Sequence, residues 1–595
     1  MLEAEIIRIA KEYNIALLGP NCLGFINPSQ YLNASFASSL PISGSVAFFS
    51  QSGALTSAFL DLTQNRLGFS LFASIGNKAV IDEKSLFEHL FKDEGTKTIG
   101  FYTENISDAP RFIALGRENL RSNRPKPMVA LKSGTTAAGT NASSSHTGAV
   151  AGSDAAYDAL FRQAGIFRAE SFQELMDALL VLDSNPLPDG NRVAIVTNAG
   201  GLGVLATDAA IKNGLVLATL DEQTTSALKS FLPPAANTHN PIDVLGDALA
   251  TRYEQALNII ADDEGVDALL IILTPQTMTE AEATAEAIVR LRKAHPELPI
   301  VTVFSGDQLV AKGHSALQKG QVPNLLYPEN AARALGELAR FAEMKRTFRE
   351  ESPAQFEIDT EKAQRILAEA RAQGEYSLGE YPAAEFLKCA GFPYLKSALV
   401  TSADEAAAFA ETLGFPVALK IASPDIIHKS DVGGVLLDVA PEFAREAFDH
   451  LMLTIKTNAA TARIEGATIA EMAQTGGREL LLGLKKEPGL GTLVVVGIGG
   501  IYVEVFKDVA MRFAPLLPSD IDAMLGELKS LPLLMGARGT EPIDLAQLKE
   551  YIARLSQLAV EFPEIEELDI NPLLAFPDKA AFRILDSRLR IAEKK

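Results

Sequence analysis

One pattern recurs along most of this chain and limits what it can fold into. Short apolar runs alternate with Ala-rich segments of helical spacing, joined by turns of small residues. The runs are SVAFFS (45–50), PMVALKS (127–133), RVAIVTNAG (192–200), DALLIILTP (267–275), PIVTVFS (299–305) and VALKIAS (417–423). Helical patterns such as 205–213 and 280–294 lie between them. Strands alternating with helices predict parallel sheets wrapped by helices. At 595 residues the chain is about four times the usual domain length, so two to four such units are expected. Breaks are expected at SNPLPDG (184–190), in the charged stretch 344–376, and more weakly at NPSQ (27–30). Ahead of the last break, Leu2, Ile6, Ile9 and Ala10 follow helical spacing and IALL (15–18) reads as a strand. A helix and one strand do not make a domain, so residues 1–28 look like the tail of a larger unit.

Charge narrows the function classes. Asp and Glu number 75 against 54 Lys and Arg, a net charge of -21, which repels nucleic acid and anionic membranes. A phosphate-bearing ligand must then be held by backbone amides, a few placed cations or a metal. Two cysteines, Cys22 and Cys389, exclude a disulfide framework and a four-thiolate zinc site. No run approaches the roughly 18 apolar residues of a membrane helix, and the N-terminus lacks the basic-then-apolar pattern of a signal peptide. A cytoplasmic protein is expected.

The segment SGTTAAGTNASSSHTGAVAGSD (133–154) follows a strand and consists of 22 residues, 18 of them Gly, Ala, Ser or Thr. It has little to bury, is uncharged until Asp154, and carries one histidine, His146. Such a segment reads either as a linker or as a functional loop whose imidazole is sterically open to attack an electrophile. Two candidate anion cradles accompany it. One is a strand ending in Gln51-Ser52-Gly53 before a helix, the other a strand ending in Ala199-Gly200-Gly201 before a helix. In each, a small-residue turn exposes helix N-terminal amides, which favour phosphate. The second also spells Gly201-x-Gly203-x-x-Ala206 with Asp221 downstream, the letter of a dinucleotide fingerprint. Local sequence leaves phosphate binding, dinucleotide binding and tight strand–helix packing open.

From about 377 the pattern changes. LGFPVALKIASPDIIHKSDVGGVLLDV (413–439) sets Lys420 in an apolar strand ahead of Gly433-Gly434, a combination that holds nucleotide phosphates by point charge and backbone amides. ATIAEMAQTGGRELLLGL (467–484) reads as two strands with a turn at Gly476-Gly477. In EELDINPLLAF (566–576), Asp569 and Asn571 are two apart on a strand and face one side. With Asp586 in FRILDSRLRI (582–591), they offer oxygen ligands suited to Mg²⁺ on nucleotide phosphates.

Taken together, LLGPNCLGFINP, FFSQSGALTSAF, SSSHTGAVAGSD, TNAGGLGVLATDAA, NPIDVLGDA, HKSDVGGV, GGRELLLGL, VGIGGIYVEVFKDVAMRFAPL and ELDINPLL occur in the order of one family. The chain resembles the ADP-forming acyl-CoA synthetases, typified by acetate–CoA ligase and related to succinyl-CoA synthetase. The resemblance implies an α/β protein with two flavodoxin-like parallel-sheet domains, 29–186 and 190–345, a linker 346–376, and an ATP-grasp domain 377–595. It implies that His146 is the phosphorylated histidine, that Glu104 orients it, and that the helices after Ser52-Gly53 and Gly200-Gly201 hold the phosphohistidine. This displaces the dinucleotide reading of 201–221. In the ATP-grasp domain it implies phosphate contacts from Lys420, Gly433 and Gly434, and an adenine hinge at Glu471-Met472-Ala473. Metal positions fall on Asp569, Asn571 and Asp586, and His428 stands where relatives carry a second phosphoryl-accepting histidine. The cofactors implied are ATP/ADP, Mg²⁺ and CoA; the substrates are an acyl-CoA, foremost acetyl-CoA, or a short carboxylate with phosphate.

The sequence departs from the family at its start. Only residues 1–28 resemble the CoA-binding domain, as its last helix and strand with the GPNC loop Gly19 to Cys22, and no glycine-rich CoA-nucleotide loop is found. The chain is therefore expected to lack most of that domain, and to act as a homo-oligomer or as partner to a separate CoA-binding domain. Two other readings stay open: a histidine phosphotransfer enzyme that does not use CoA, and a catalytically incomplete regulatory or binding remnant.

Overall fold

The computed structural model describes residues 2–136, 138–139, 153–423, 425–426, 429–474, 476–500, 508–577 and 582–593. They form two compact units: Met1–Ile106, Arg111–Asp154 and Phe161–Glu350 in the first, Glu351–Lys595 with Ser107–Pro110 and Ala155–Leu160 in the second. No helix among the described residues is long and apolar enough to cross a membrane.

The first unit contains two sheets. The first of them has β1 (Gly24–Asn27), β2 (Leu32–Ser35), β3 (Ser43–Ser50), β4 (Phe69–Ser74), β5 (Thr98–Thr103), β6 (Met128–Lys132) and β7 (Ile166–Ala169), in the order β2-β1-β4-β3-β5-β6-β7. Strands β3 to β7 are parallel, and their order 4-3-5-6-7 is the flavodoxin-like doubly wound order. The second sheet is β8 (Arg192–Thr197), β9 (Val216–Leu217), β10 (Ile242–Asp243), β11 (Ala268–Leu273) and β12 (Ile300–Phe304), again parallel, with β8 between β10 and β11. The long apolar runs are buried on both faces: every residue of β11 and of β12 is inaccessible to solvent or nearly so. That is what covering a parallel sheet with helices on both sides requires.

At the N-terminus the structure differs from the sequence reading. The helix is present at Leu2–Glu12, but IALL forms no strand, and Ile15 is exposed. The strand is instead Gly24–Asn27, which pairs antiparallel with β4 and with the edge strand β2, so residues up to 27 are part of the first sheet. The segment 346–376, expected as a linker, carries the helix Thr360–Ala372, and its Ala363, Leu367 and Ala370 are buried in the core of the second unit.

The second unit is built differently. One sheet runs β13 (Ser377–Leu378), β23 (Ser587–Ile591), β21 (Ile565–Ala575), β18 (Arg478–Glu487), β19 (Gly491–Ile498), β20 (Val509–Phe513), with β22 (Arg583–Ile584) beside β21. The other runs β14 (Ser397–Val400), β17 (Gly466–Glu471), β15 (Val417–Ala422), β16 (Val435–Val439). All these pairings are antiparallel. VALKIAS therefore does not belong to a parallel sheet, as its apolar run suggested; β15 is a central strand whose buried Val417 and Leu419 share one apolar cluster with residues of the helices Ala403–Leu413 and Ala444–Asn458. The strands either side of Gly476-Gly477 do not pair with each other but enter different sheets.

In the first unit a single apolar cluster joins the two sheets, from Val46 and Phe48 through Leu179 to Val193, Ile195 and Leu335. The helices Phe172–Ser184 and Pro328–Thr347 lie at its centre. Between them sits a charged set: Glu337, with Arg333 3.9 Å away, and Glu174, which binds Arg333 at 2.6 Å. Asp177 and Arg340 complete it, and Glu337 Oε2 is buried without a hydrogen-bond partner among the described residues. Burial pushes Glu337 up to about 7, with Arg333 and Arg340 pulling against it and Glu174 and Asp177 adding to it. An acid raised in the folded state holds its proton more tightly there than in the unfolded chain. Its ionisation therefore removes stability as pH rises from about 4.5 towards about 7, and the cost is full above that. Glu337→Gln should flatten this decline, with a gain approaching about 3 kcal/mol at pH 8. Melting curves of both proteins between pH 5 and pH 8 check it; parallel curves would refute the assignment.

Candidate functional site

The two predicted anion cradles share one construction. At the end of β3, Ser50 Oγ accepts from Ser52 N at 3.0 Å and donates to Ser52 O at 2.9 Å. At the end of β8, Thr197 Oγ1 accepts from Ala199 N at 2.9 Å and donates to Ala199 O at 3.0 Å. In both places the hydroxyl locks the turn, and the helix begins on the next glycine: Gly53–Leu62 after Ser52, Gly200–Lys212 after Ala199. The residue after each hydroxyl reaches sideways. Gln51 Oε1 accepts from Glu104 N at 2.6 Å and Asn105 N at 3.1 Å, beyond the end of β5. Asn198 Oδ1 accepts from Thr274 N at 2.8 Å while its amide donates to Thr274 O at 3.1 Å, beyond the end of β11. Ser-Gln-Ser-Gly (50–53) and Thr-Asn-Ala-Gly (197–200) are thus one motif used twice, a repeat visible in the sequence as hydroxyl, amide, small residue, glycine.

The ends of the neighbouring strands complete the first cradle. Glu104 is buried directly after β5, anchored through its backbone to Gln51. Lys78 Nζ lies 2.8 Å from Glu83 Oε1 and donates to Asn105 O at 2.6 Å. Lys132, the last residue of β6, is buried and donates to Ser133 O. Burial lowers its ammonium to about 8, opposed by the charges of Asp154 and Glu104. The GPNC loop approaches the same edge: Asn77 N bonds Pro20 O and Ala79 N bonds Gly19 O, each at 3.0 Å. His146 itself lies outside the described residues.

In the second unit, β15 and its neighbours assemble a charged cluster. Lys420 Nζ lies 3.1 Å from Glu380 Oε1 and donates to Leu585 O. Lys429 Nζ lies 2.5 Å from Glu380 Oε2 and 3.4 Å from Asp586 Oδ2. Asn571 N bonds Asp586 O at 3.2 Å, and Asn571 Oδ1 accepts from Gly500 N at 2.9 Å. Gly434 closes the turn, donating to Lys429 O at 2.7 Å and accepting from Ile421 N at 2.8 Å. A Cβ there would stand 2.7 Å from Ile421 and 2.8 Å from the Lys429 carbonyl, so the position needs glycine; Gly433 has φ +72. Lys420, Gly433, Gly434, Asn571 and Asp586, scattered in sequence, are thus brought together. On β17, Glu471 is opposite Val417 and Thr468 opposite Lys420, so the segment 471–473, expected as the adenine hinge, starts about 10 Å along the strand from the lysine. Glu471 also pairs by its backbone amide with Lys396 O at 3.0 Å. His428 lies outside the described residues.

The electrostatics of this cluster fit a cation with phosphate. Burial, and after it the negative charge of Glu380, pushes the Asp586 carboxyl up, and Asp586 Oδ1 is buried with no hydrogen-bond partner among the described residues. Burial and the nearby Asp586 push Asp569 up to about 6. Two neighbouring carboxyls, both pushed up chiefly by burial, one of them also by the other's charge, are a set that a cation would relieve. Among the described residues no group of three or more His, Cys, Asp or Glu makes a metal cage by itself, so Mg²⁺ here would need phosphate oxygens or water as further ligands. Burial also pushes Glu380 up, but Lys420 and Lys429 more than reverse this and hold it below its usual range. Glu380 and Lys429 escaped the sequence reading as site residues; the cues available were an acidic residue opening the helix Glu380–Cys389 and the place of Lys429 in HKSDVGGV, ahead of the glycine pair.

Three family models match in succession: a succinyl-CoA ligase like flavodoxin domain over residues 43–182, a ligase-CoA domain over 193–347, and an ATP-grasp domain over 369–591. The acetate–CoA ligase [ADP-forming] I of Archaeoglobus fulgidus is 38% identical over 595 residues, 100% of this chain and 84% of that protein. The chain belongs to the ADP-forming acetate–CoA ligase family. A 4-hydroxybutyrate–CoA ligase [ADP-forming] of Nitrosopumilus maritimus is 36% identical over 99% of the chain and 84% of its own length. A solved acetyl-coenzyme A synthetase of Ca. Korarchaeum cryptofilum, in complex with phosphate and ADP, superposes with a TM-score of 0.56 at 35% identity, covering 58% of this chain and 75% of that one. The family's two flavodoxin-like domains and ATP-grasp domain are those predicted. The relatives match this chain over its full length, so the expectation that it lacks most of a CoA-binding domain is not borne out.

The lysine cluster generates a prediction about stability in this family member. Removing Glu380 leaves two buried ammonium groups short of charge, which typically costs about 3–5 kcal/mol. Glu380→Ala should lower the melting temperature markedly, and Glu380→Leu combined with Lys420→Met and Lys429→Met should restore most of it. A single substitution as stable as the native protein would show that the cluster is not closed as described.

Proposed function

We propose that the chain is an ADP-forming carboxylate–CoA ligase, acting foremost on acetyl-CoA, that works through an acyl phosphate and a phosphohistidine on His146. The observation that carries this reading is the duplicated cradle: two strand ends, each delivering a hydroxyl-locked turn and a helix N-terminus. A phosphorylated imidazole carries two negative charges in a chain of net charge -21, and paired helix ends supply compensating amides. Phosphate attacks the thioester carbonyl and CoA leaves as the thiolate, giving the acyl phosphate. The unprotonated imidazole of His146 then attacks phosphorus and the carboxylate leaves. A β-phosphate oxygen of ADP finally takes the phosphoryl group, regenerating the imidazole and forming ATP. Histidine suits the relay because its ordinary pKa near ~6.5 leaves it largely nucleophilic at neutral pH.

Each group of this chain has a defined part. Glu104, fixed by Gln51, orients the imidazole from its buried position after β5. Gly19 to Cys22 meet the thioester end of the acyl-CoA. Lys420, Lys429 and Gly433-Gly434 hold nucleotide phosphates, residues 471–473 the adenine, and His428 relays the phosphoryl group. Asp569, Asn571 and Asp586 hold Mg²⁺, which when bound offsets the charge of the transferring phosphoryl group.

Incubation with labelled ATP and Mg²⁺ should yield an acid-labile, base-stable phosphoprotein, lost in His146→Ala. Addition of CoA with acetate should discharge it; a label indifferent to CoA points instead to a phosphotransfer enzyme outside CoA chemistry. Undiminished labelling of His146→Ala would end the assignment. Lys420→Ala and Asp586→Ala should each weaken nucleotide binding at least tenfold, about 1.4 kcal/mol, by calorimetry. Native affinity in both variants would remove the ATP-grasp site.

A further inference from the structure

The strands that bring the three metal positions together bring a fourth charged residue with them. Strands β21 and β23 pair antiparallel, with Glu567 opposite Arg590, Asp569 opposite Arg588 and Ile570 opposite Ser587. One step further, Asn571 N bonds Asp586 O at 3.2 Å. Leu568, Ile570, Leu589 and Ile591 are buried in the core of the second unit. Alternation along each strand therefore sets Glu567, Asp569 and Asn571 on the other face, with Arg590, Arg588 and Asp586 across from them. That face is a ladder of three rungs, and Arg588 is the corner that completes a square with Asp569, Asn571 and Asp586.

The two arginines of the ladder are placed differently. Arg590 is exposed and committed to carboxylates, 2.5 Å from Glu566 Oε2 and 3.2 Å from Glu567 Oε2. Arg588 is half-buried, and its charge acts on the nucleotide cluster. It favours the carboxylates of Asp569 and Asp586 against the burial that raises them, and disfavours the ammonium of Lys429. On the other side of Asp569, β18 presents Gly483, where a Cβ would stand 2.7 Å from Leu568 O. The neighbour of Asp569 across β18 thus has no side chain, and its neighbour across β23 is a cation.

Such a cation works against a metal ion. Directly opposed residues have Cβ atoms about 5 Å apart, so a guanidinium and a divalent ion sharing Asp569 repel each other strongly. Phosphate resolves the conflict. A metal here needs phosphate oxygens as further ligands, those oxygens lie beside Asp569, and the guanidinium fork matches them.

We propose that Arg588 is a further phosphate-binding residue of the nucleotide site, and that it keeps Asp569 from a free divalent ion until nucleotide arrives. In the empty site the guanidinium balances Asp569. Nucleotide phosphates draw it to themselves, and Asp569 becomes able to take the metal together with the nucleotide. This rests on the reading above in which Asp569, Asn571 and Asp586 hold Mg²⁺ on a bound nucleotide.

Two binding measurements on the full chain test it, and they move in opposite directions. Mn²⁺ without nucleotide, followed by its paramagnetic resonance, should bind Arg588→Met at least about threefold more tightly than the native chain. ADP in the presence of EDTA, followed by calorimetry, should bind the same variant at least about tenfold more weakly. Arg588→Lys, which keeps the charge and loses the fork, should still hold off Mn²⁺ while losing part of the ADP affinity. Arg590→Met, one rung along, should move neither. Parallel weakening of both ligands in Arg588→Met marks a merely structural residue and overturns the proposal, as does native affinity for either ligand in that variant. A native chain that binds no ADP at all overturns the nucleotide-site reading, and this proposal with it.

Discussion

Parallel pairing fixes where an anion can be held in the first unit. Strands that run the same way all deliver the chain to one edge of the sheet, and each following helix starts there with amides that have no partner within the helix. Because β3 and β8 are flanked by parallel neighbours on both sides, their ends lie between other strand ends, and side chains can reach across. Gln51 and Asn198 do so, tying their own turns to the ends of β5 and β11. The cradles are therefore part of the sheets, held by backbone that cannot move without breaking strand pairing. An acidic chain needs this arrangement, since its overall field repels phosphate and only fixed local dipoles oppose that field.

The second unit handles charge by other means. Its sheets are antiparallel, so helix starts do not gather at one edge, and charge compensation falls to side chains. Lys420 and Lys429 are drawn together by a single carboxylate, Glu380, on the first turn of a helix, with Asp586 next in line. A buried ion pair of this kind is weak evidence for stability, because desolvation consumes much of the attraction. It is more readily understood as two cations kept desolvated and pointed at one place. The buried oxygen of Asp586, partnerless among the described residues, supports this, for a cluster evolved for stability alone would satisfy it.

The fold was legible where residue patterns are local. Apolar runs followed by small-residue turns marked the strands and helix starts of the first unit, and Lys420 stood out because an apolar strand surrounds it. What stayed hidden depended on long-range pairing. Val417–Ala422 reads the same whether its neighbours run parallel or antiparallel, since a central strand buries both faces either way. IALL looked like a strand by composition, yet the hydrogen-bonding edge of the first sheet was taken by Gly24–Asn27, whose sequence is weaker. Glu380 belongs to none of the motifs, and Lys429, though it stands in HKSDVGGV, gains its meaning from meeting Glu380 and Asp586 across more than one strand.

The two cradles differ at one residue in a way that bears on their use. Ser52 spends its hydroxyl on the amide of Leu55, 3.3 Å away, whereas Ala199 offers its helix no side-chain cap. Replacing a capping serine by alanine ordinarily costs about 1 kcal/mol, so the second helix forgoes that stability. It gains amides with no competing side-chain cap, and among the described residues no atom lies within 4 Å of a Cβ built on Gly201. The first cradle is the more rigid and less available; the second is the more open. An anion held between two such helix ends would draw more of its stabilisation from the uncapped one, because there it displaces only water.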